Sequence, residues 1–217
     1  MSEAVRVRRG LEEAIVEGRF RPGDKLDPEG IAAEYGCSRT PVRDALQHLS
    51  TSGLVEIRPK RGTFVSRLSM RELAERFEVM ADLEGLCAEL AARRMPPDVA
   101  DEMTGWLVAC EQFVDSGDPD GYYDANSRFH RTIYAGSGND FLRRETEKLQ
   151  GGLEVYRRLQ LRVGDRMSRS LREHRAIAQA IRDGSAQEAR ALARTHVVIQ
   201  GDEYTEMVLN LDGLLQE

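Results

Sequence analysis

The chain has 217 residues, 41% hydrophobic and 31% charged, which is enough for one large domain or two small ones and excludes a disordered or fibrous protein. No run approaches the ~18 apolar residues of a membrane span, and Met1-Ser-Glu-Ala-Val-Arg lacks the apolar core of an export signal, so a cytoplasmic protein that avoids membranes is expected. Net charge is −6, yet residues 1–66 hold 11 of the 31 Lys+Arg and 10 of the 37 Asp+Glu, leaving that segment at +1 and the remainder at −7. A nucleic-acid module needs a basic face, not a basic whole, so this balance excludes little.

Residues 3–18 read as a first helix with Leu11, Ala14 and Ile15 on one side, broken at Gly18-Arg-Phe-Arg-Pro-Gly23. Asp27 can cap a short second helix carrying Ile31, Ala32 and Tyr35, with Gly36 as its stop. Ser38 suits the N-cap of a third, with Pro41 in its first turn, a buried stripe of Val42, Ala45, Leu46 and Leu49, and Gly53 beyond its end. The period then changes to that of a hairpin: Val55-Glu-Ile-Arg58, a Pro59-Lys-Arg-Gly62 turn, and Thr63-Phe-Val65. Beyond Arg67 only helix is expected, near 70–94, 97–116, 119–136, 139–162, 167–183 and 186–211. Met95-Pro-Pro, Ser116-Gly-Asp-Pro, Gly136-Ser-Gly-Asn and Asp183-Gly-Ser punctuate those segments. The expected division is therefore a winged helix-turn-helix over 1–67 and an all-α six-helix bundle over 68–217. Cys37, Cys87 and Cys110 fit neither a disulfide framework nor a paired zinc motif.

Two short helices, a glycine turn and a hairpin follow the order of a winged helix-turn-helix, whose second short helix enters the major groove. Arg39, Arg43 and Gln47 recur at i, i+4 and i+8, off the apolar stripe. Arginine suits guanine because its planar fork meets two acceptors at once. The hairpin tip, Arg58, Lys60 and Arg61 before Gly62, gathers three cations suited to phosphates. A solvated helix face would carry similar residues, so spacing alone leaves both readings open.

The run from Ile15 through Pro22-Gly23, Ile31-Ala32, Gly36-Cys-Ser38-Arg39-Thr40-Pro41-Val42-Arg43, Gly53-Leu-Val55 and Gly62-Thr-Phe64-Val65 resembles the GntR family of bacterial regulators. The resemblance covers nearly all of residues 8–66. It implies base contacts by Arg39 and Arg43, with Thr40 inside the same block, and a wing whose Gly62 lies against DNA. One winged module covers only a few base pairs and two-fold proteins read two-fold sites, so a homodimer on an inverted repeat of double-stranded DNA is expected.

Of four histidines, His48 falls on the third helix and His130, His174 and His196 in the helical region. Asn126 and His130 are i, i+4 and share a face, and His174 and His196 each lie 11 residues from Ser185, at equal height if their helices form an antiparallel hairpin. Facing helices of a bundle can converge such groups on one ion, and imidazole suits zinc, nickel, copper or iron. Three unrelated core histidines are the alternative. The segments Asn126-Ser-Arg-Phe129-His130 and Glu173-His174 onward to His196 resemble the FCD domain of the FadR branch, in its shorter VanR-like form, over about 70–212.

That resemblance implies a divalent metal, zinc or nickel foremost, held by His130, His174, His196 and, at the family's Asp position, Asn126. An amide oxygen ligates without charge and binds less strongly. A family arginine of the first helix of this domain is replaced by Met80 in the run Glu78-Val-Met80 to Glu84, which is expected to leave more apolar wall. The expected function is a DNA-binding regulator, not an enzyme, controlled by a small carboxylate bound at the metal. A metal-dependent enzyme on the three histidines is the alternative. It is disfavoured because the sequence shows no His-Glu-x-x-His helix and no carboxylate base beside the ligands.

Overall fold

The computed structural model describes residues 2–16, 19–21, 23–51, 53–66, 70–161 and 164–198. Two compact units make up the chain: the first runs to residue 69 and takes in 151–155, and the second holds 70–150 and everything from 156. The expected boundary at 67–68 lies outside the described residues, as do residues 17–18 of the first expected helix.

In the first unit, helical spacing sends Val7, Leu11, Ala14 and Ile15 of α1 (Glu3–Val16) inward. They pack on α3 (Arg39–Thr51), whose Val42, Ala45, Leu46 and Leu49 form the facing stripe. Between them α2 (Pro28–Glu34) starts where the Asp27 carboxylate accepts from the amides of Glu29 at 3.1 Å and Gly30 at 3.0 Å, a cap worth about 1 kcal/mol. Strands β2 (Val55–Arg58) and β3 (Gly62–Val65) pair antiparallel, with Val55 opposite Val65 and Arg58 opposite Gly62. A further strand, β1 (Lys25–Leu26), adds to the other edge of β3 and gives the order β1-β3-β2. Two residues are too few to show alternation in a sequence, so β1 was not expected.

From residue 70 the described chain is helical, and apart from residues 151–155 it belongs to the second unit: α4 (Met70–Arg94), α5 (Pro97–Ser116), α6 (Pro119–Gly136), α7 (Asp140–Gly152), α8 (Glu154–Leu161), α9 (Arg166–Arg182) and α10 over 186–198. The single helix expected over 139–162 is two, parted at Leu153, so the expected six-helix bundle has seven helical segments among the described residues. Gly151-Gly152 closes α7, and glycine costs about 1 kcal/mol in a helix interior, so the break falls where continuing is least favourable. The last expected helix is described only to 198.

Helix α6 lies in the middle, with Tyr122, Ala125, Asn126, Phe129, His130, Ile133 and Tyr134 all buried, and it packs against α4 and α5 while α9 packs on the same two. Close approach of α10 to α4 depends on Gly85. A Cβ there would lie 3.2 Å from the Arg190 carbonyl oxygen and 3.3 Å from its Cγ. Ion pairs Arg190–Glu89 at 2.9 Å and Arg194–Asp82 at 3.1 Å flank that contact. The helix bearing His196 is thereby held against the helix bearing Glu84. Among the described residues no helix is long and apolar enough to cross a membrane.

Candidate DNA interface and metal centre

With its apolar stripe buried, α3 turns Arg39, Thr40, Arg43 and Gln47 to solvent. Arg39 Nη2 lies 2.8 Å from Glu29 Oε1, and both side chains are well exposed. Such a surface pair is worth about 0–1 kcal/mol and does not prevent Arg39 from exchanging carboxylate for a base edge. Arg43 has no ion pair among the described residues.

At the hairpin tip the Arg61 amide donates to the Arg58 carbonyl at 3.0 Å, with Pro59 second and a positive φ of 61° at Lys60. That is the pattern of a type II turn, which ordinarily places glycine third. Lys60 is the only non-glycine residue with positive φ among the described residues. Sterics there cost about 1–2 kcal/mol, so a cation is kept at the tip against a local penalty. Gly62 follows at φ 109°, and a Cβ on it would lie 3.0 Å from Lys25 Cε. Lys25 of β1 therefore adds a cation at the wing that the sequence reading missed. Arg58 is engaged on the hairpin itself: its guanidinium lies 4.7 Å above the Phe64 ring and pairs with Glu56 at 2.8 Å. Lys60, Arg61 and Gly62 are exposed. Lys60→Gly should raise the thermal stability of this unit by up to about 1 kcal/mol while weakening DNA binding, as melting and mobility-shift assays would read.

In the second unit His130 of α6, His174 of α9 and His196 of α10 meet in the core, each at most 2% exposed. One potential ligand atom from each lies within 4.8 Å of the others, and His174 Nε2 and His196 Nε2 are 3.2 Å apart. Nitrogens about 2.1 Å from one ion sit ~3.0–3.4 Å from each other at right-angled to tetrahedral openings, so that spacing fits a shared cation. His130 Nδ1 pairs with Glu84 Oε2 at 2.9 Å, and His196 Nδ1 with Glu173 Oε2 at 2.5 Å. A carboxylate on Nδ1 fixes the proton there and leaves the Nε2 lone pair for a ligand. His130 Nε2 is buried without a hydrogen-bond partner, and so is Asn126 Oδ1. Buried acceptors seldom go unpaired, so both observations fit a cation between these residues. His174 departs from the pattern, because its Nδ1 has no partner and its Nε2 faces Ser170 Oγ at 3.4 Å.

Each carboxylate is shared with a buried arginine. Glu84 Oε1 accepts from Arg157 Nη1 at 3.0 Å, and Glu173 takes both arms of Arg166, each at 3.0 Å. Burial would raise the Glu84 carboxyl, but the charges of His130 and Arg157 outweigh it and hold it well below the usual range. Glu173 likewise overcomes burial through His196 and Arg166 and falls to about 2. The expectation that no carboxylate stands beside the ligands is thus corrected. Both are committed to Nδ1 protons and guanidinium groups. Glu84 lies 46 residues before His130 and on another helix, a pairing no local pattern reveals. The apolar wall expected from Met80 is also modified. Met80 is fully buried, and the cavity that Asn126 and Ser170 line also has Arg157 and Arg166 on its walls.

Burial drives His174 well below the ordinary histidine value, with His196 and His130 adding to it, and burial brings His196 to about 4 against the opposing Glu173 hydrogen bond. Unfolded histidines take up protons near 6.5, so between pH 6.5 and about 4 the unfolded chain binds more protons than the native one. Metal-stripped protein should therefore lose stability as pH falls from 6.5 to 5, on the order of 1–2 kcal/mol for each of His174 and His196, and show no contribution from these two above 6.5. Denaturant titrations at pH 7.5 and 5 check this, and equal midpoints would contradict the buried, neutral histidines.

Comparison with known proteins matches residues 3–65 to the family described as "Bacterial regulatory proteins, gntR family" and residues 75–198 to the FCD domain. The chain is 31% identical over 195 residues to the "Probable D-xylose utilization operon transcriptional repressor" of Paenarthrobacter nicotinovorans, covering 89% of this chain and 85% of that one. It is 27% identical to the HTH-type transcriptional repressor GlaR of Escherichia coli, covering 88% and 90%. In fold it is similar to E. coli McbR/YncC, with a TM-score of 0.71 at 20% identity over 100% of both chains.

Proposed function

The chain belongs to the GntR family, as a DNA-binding transcription regulator with an FCD domain, and from that premise we propose that a small metabolite bound at a metal centre in its helical unit controls its grip on DNA. The observation that carries this reading is the convergence of three buried imidazoles, two of them locked by Glu84 and Glu173 with Nε2 turned away from the carboxylate. His130, His174 and His196 would hold a divalent ion, zinc or nickel, with Asn126 as a neutral oxygen donor. The bound ion would supply a positive centre for an anionic ligand. Arg43, Arg39, Thr40 and Gln47 would face bases, and Lys60, Arg61, Arg58 and Gly62 the phosphates. A homodimer would read an inverted repeat and act in the cytoplasm, and the repressors among the relatives favour repression.

The test is a mobility shift on DNA upstream of the chain's own operon. Arg39→Ala and Arg43→Ala should each cost about 1–3 kcal/mol of discrimination between operator and scrambled DNA. Lys60→Ala should weaken both DNAs alike and reduce the salt slope by about 1. Unchanged operator binding by both arginine variants would dismiss the α3 assignment.

A further inference from the structure

An arginine that reads DNA must choose a base edge over a phosphate, since both accept from its guanidinium. In a helix-turn-helix the second short helix lies in the groove while the first crosses the phosphate backbone. Here that first helix is α2, and residues 27–38 hold Asp27, Glu29 and Glu34 with no lysine or arginine. The Asp27 carboxylate is occupied by the amides of Glu29 and Gly30, and Glu34 lies 3.6 Å from Arg19. Glu29 instead reaches across to α3. Its Oε1 is 2.8 Å from Arg39 Nη2, and the two side chains are 65% and 62% exposed. A carboxylate beside a DNA-reading arginine opposes every DNA alike unless the arginine uses it to discriminate.

We propose that Glu29 is a specificity-determining residue, which holds Arg39 ready for a guanine edge and turns it away from the phosphate backbone. This rests on the assignment of Arg39 to base contact given above. A guanidinium has five N–H donors, and the contact with Glu29 takes one at Nη2, so the two that a guanine needs stay available while Glu29 remains in place. An anchored side chain also loses less rotamer freedom on meeting the base. Guanine O6 and N7 carry only partial charge, which the Glu29 carboxylate tolerates. A phosphate taken up by Arg39 brings a full negative charge beside that carboxylate, and the two repel. Selectivity of this kind comes from opposing the wrong partner and needs no new contact with the right one.

Fluorescence anisotropy on the full-length protein tests this, with the operator duplex and a scrambled duplex of equal length at several salt concentrations. Glu29→Gln keeps the shape and removes the charge, and both partners are well exposed, so the fold is not at stake. The variant should bind scrambled DNA about 3–10-fold more tightly and the operator within about twofold of wild type, so the ratio between them falls. Its salt slope on scrambled DNA should steepen by about 1 as Arg39 is released to a phosphate. Glu34→Gln, which removes an equal charge from the other end of α2, should leave the ratio as it is. Glu29→Gln in an Arg39→Ala background should leave it unchanged as well. An unaltered ratio in Glu29→Gln, an equal gain on both duplexes, an equal effect of Glu34→Gln, or a full effect without Arg39 would each overturn the assignment. Arg39→Ala reports separately. A ratio lost in that variant but kept in Glu29→Gln dismisses Glu29 and leaves Arg39 in its role, whereas a ratio that Arg39→Ala leaves intact dismisses both.

Discussion

Glu84→Leu should destabilise the helical unit by about 3–5 kcal/mol, because it strands a buried guanidinium and a buried imidazole N–H at once. Glu84 is 2% exposed, with one oxygen 2.9 Å from His130 Nδ1 and the other 3.0 Å from Arg157 Nη1. Removing a single partner leaves the Arg157 charge uncompensated in a medium where solvation is poor, and Arg157 already has an open Nη2. For a protein of this size the loss corresponds to a drop of roughly 6–20 °C in melting temperature. The double variant Glu84→Leu/Arg157→Met removes both charges and should recover most of the loss, since replacing a whole buried pair by apolar groups is often neutral. Melting curves of wild type, both single variants and the double variant form a cycle. Additivity within about 0.5 kcal/mol would show that the two side chains do not share this energy.

His174→Ala should abolish the metal-dependent rise in melting temperature and lower metal affinity by more than the ~10–100-fold typical of losing an outer hydrogen-bond partner of a ligand. The side chain is fully buried, and its Nε2 is 3.2 Å from that of His196, so no other group can take its place without rebuilding the core. Glu173→Gln should fall within that 10–100-fold range. It leaves His196 a weaker partner on Nδ1 and deprives Arg166 of a charge, but removes no ligand atom. Asn126→Asp should move affinity the other way by adding a negative charge. Metal content after dialysis ranks the four proteins. Equal content in wild type and His174→Ala would dismiss the centre.

The parts of this molecule that were readable in advance are those in which chemistry repeats along the chain. The stripe Val42, Ala45, Leu46 and Leu49 predicts which side of α3 is buried, and therefore that Arg39 and Arg43 stand exposed. Equal distances of His174 and His196 from Ser185 anticipate their meeting across the turn between α9 and α10. What could not be read depends on how helices cross. Glu84 reaches His130 because α4 packs on α6, and Arg157 reaches Glu84 from 73 residues away. The two-residue β1 is set by its pairing with β3, and the break at Leu153 follows Gly151-Gly152, a local signal that the long helical spacing masked. Strain at Lys60 is likewise invisible, since lysine gives no hint of a positive φ.

The shared carboxylate at Glu84 also constrains how this sequence can drift. A change at position 84, 130 or 157 made alone leaves a stranded donor or acceptor in the core, whereas joint changes can pass through a paired intermediate. These three positions, far apart along the chain, should therefore vary as a block among homologues. Exposed positions such as Arg71 and Glu75, one helical turn apart on α4, should vary independently of one another.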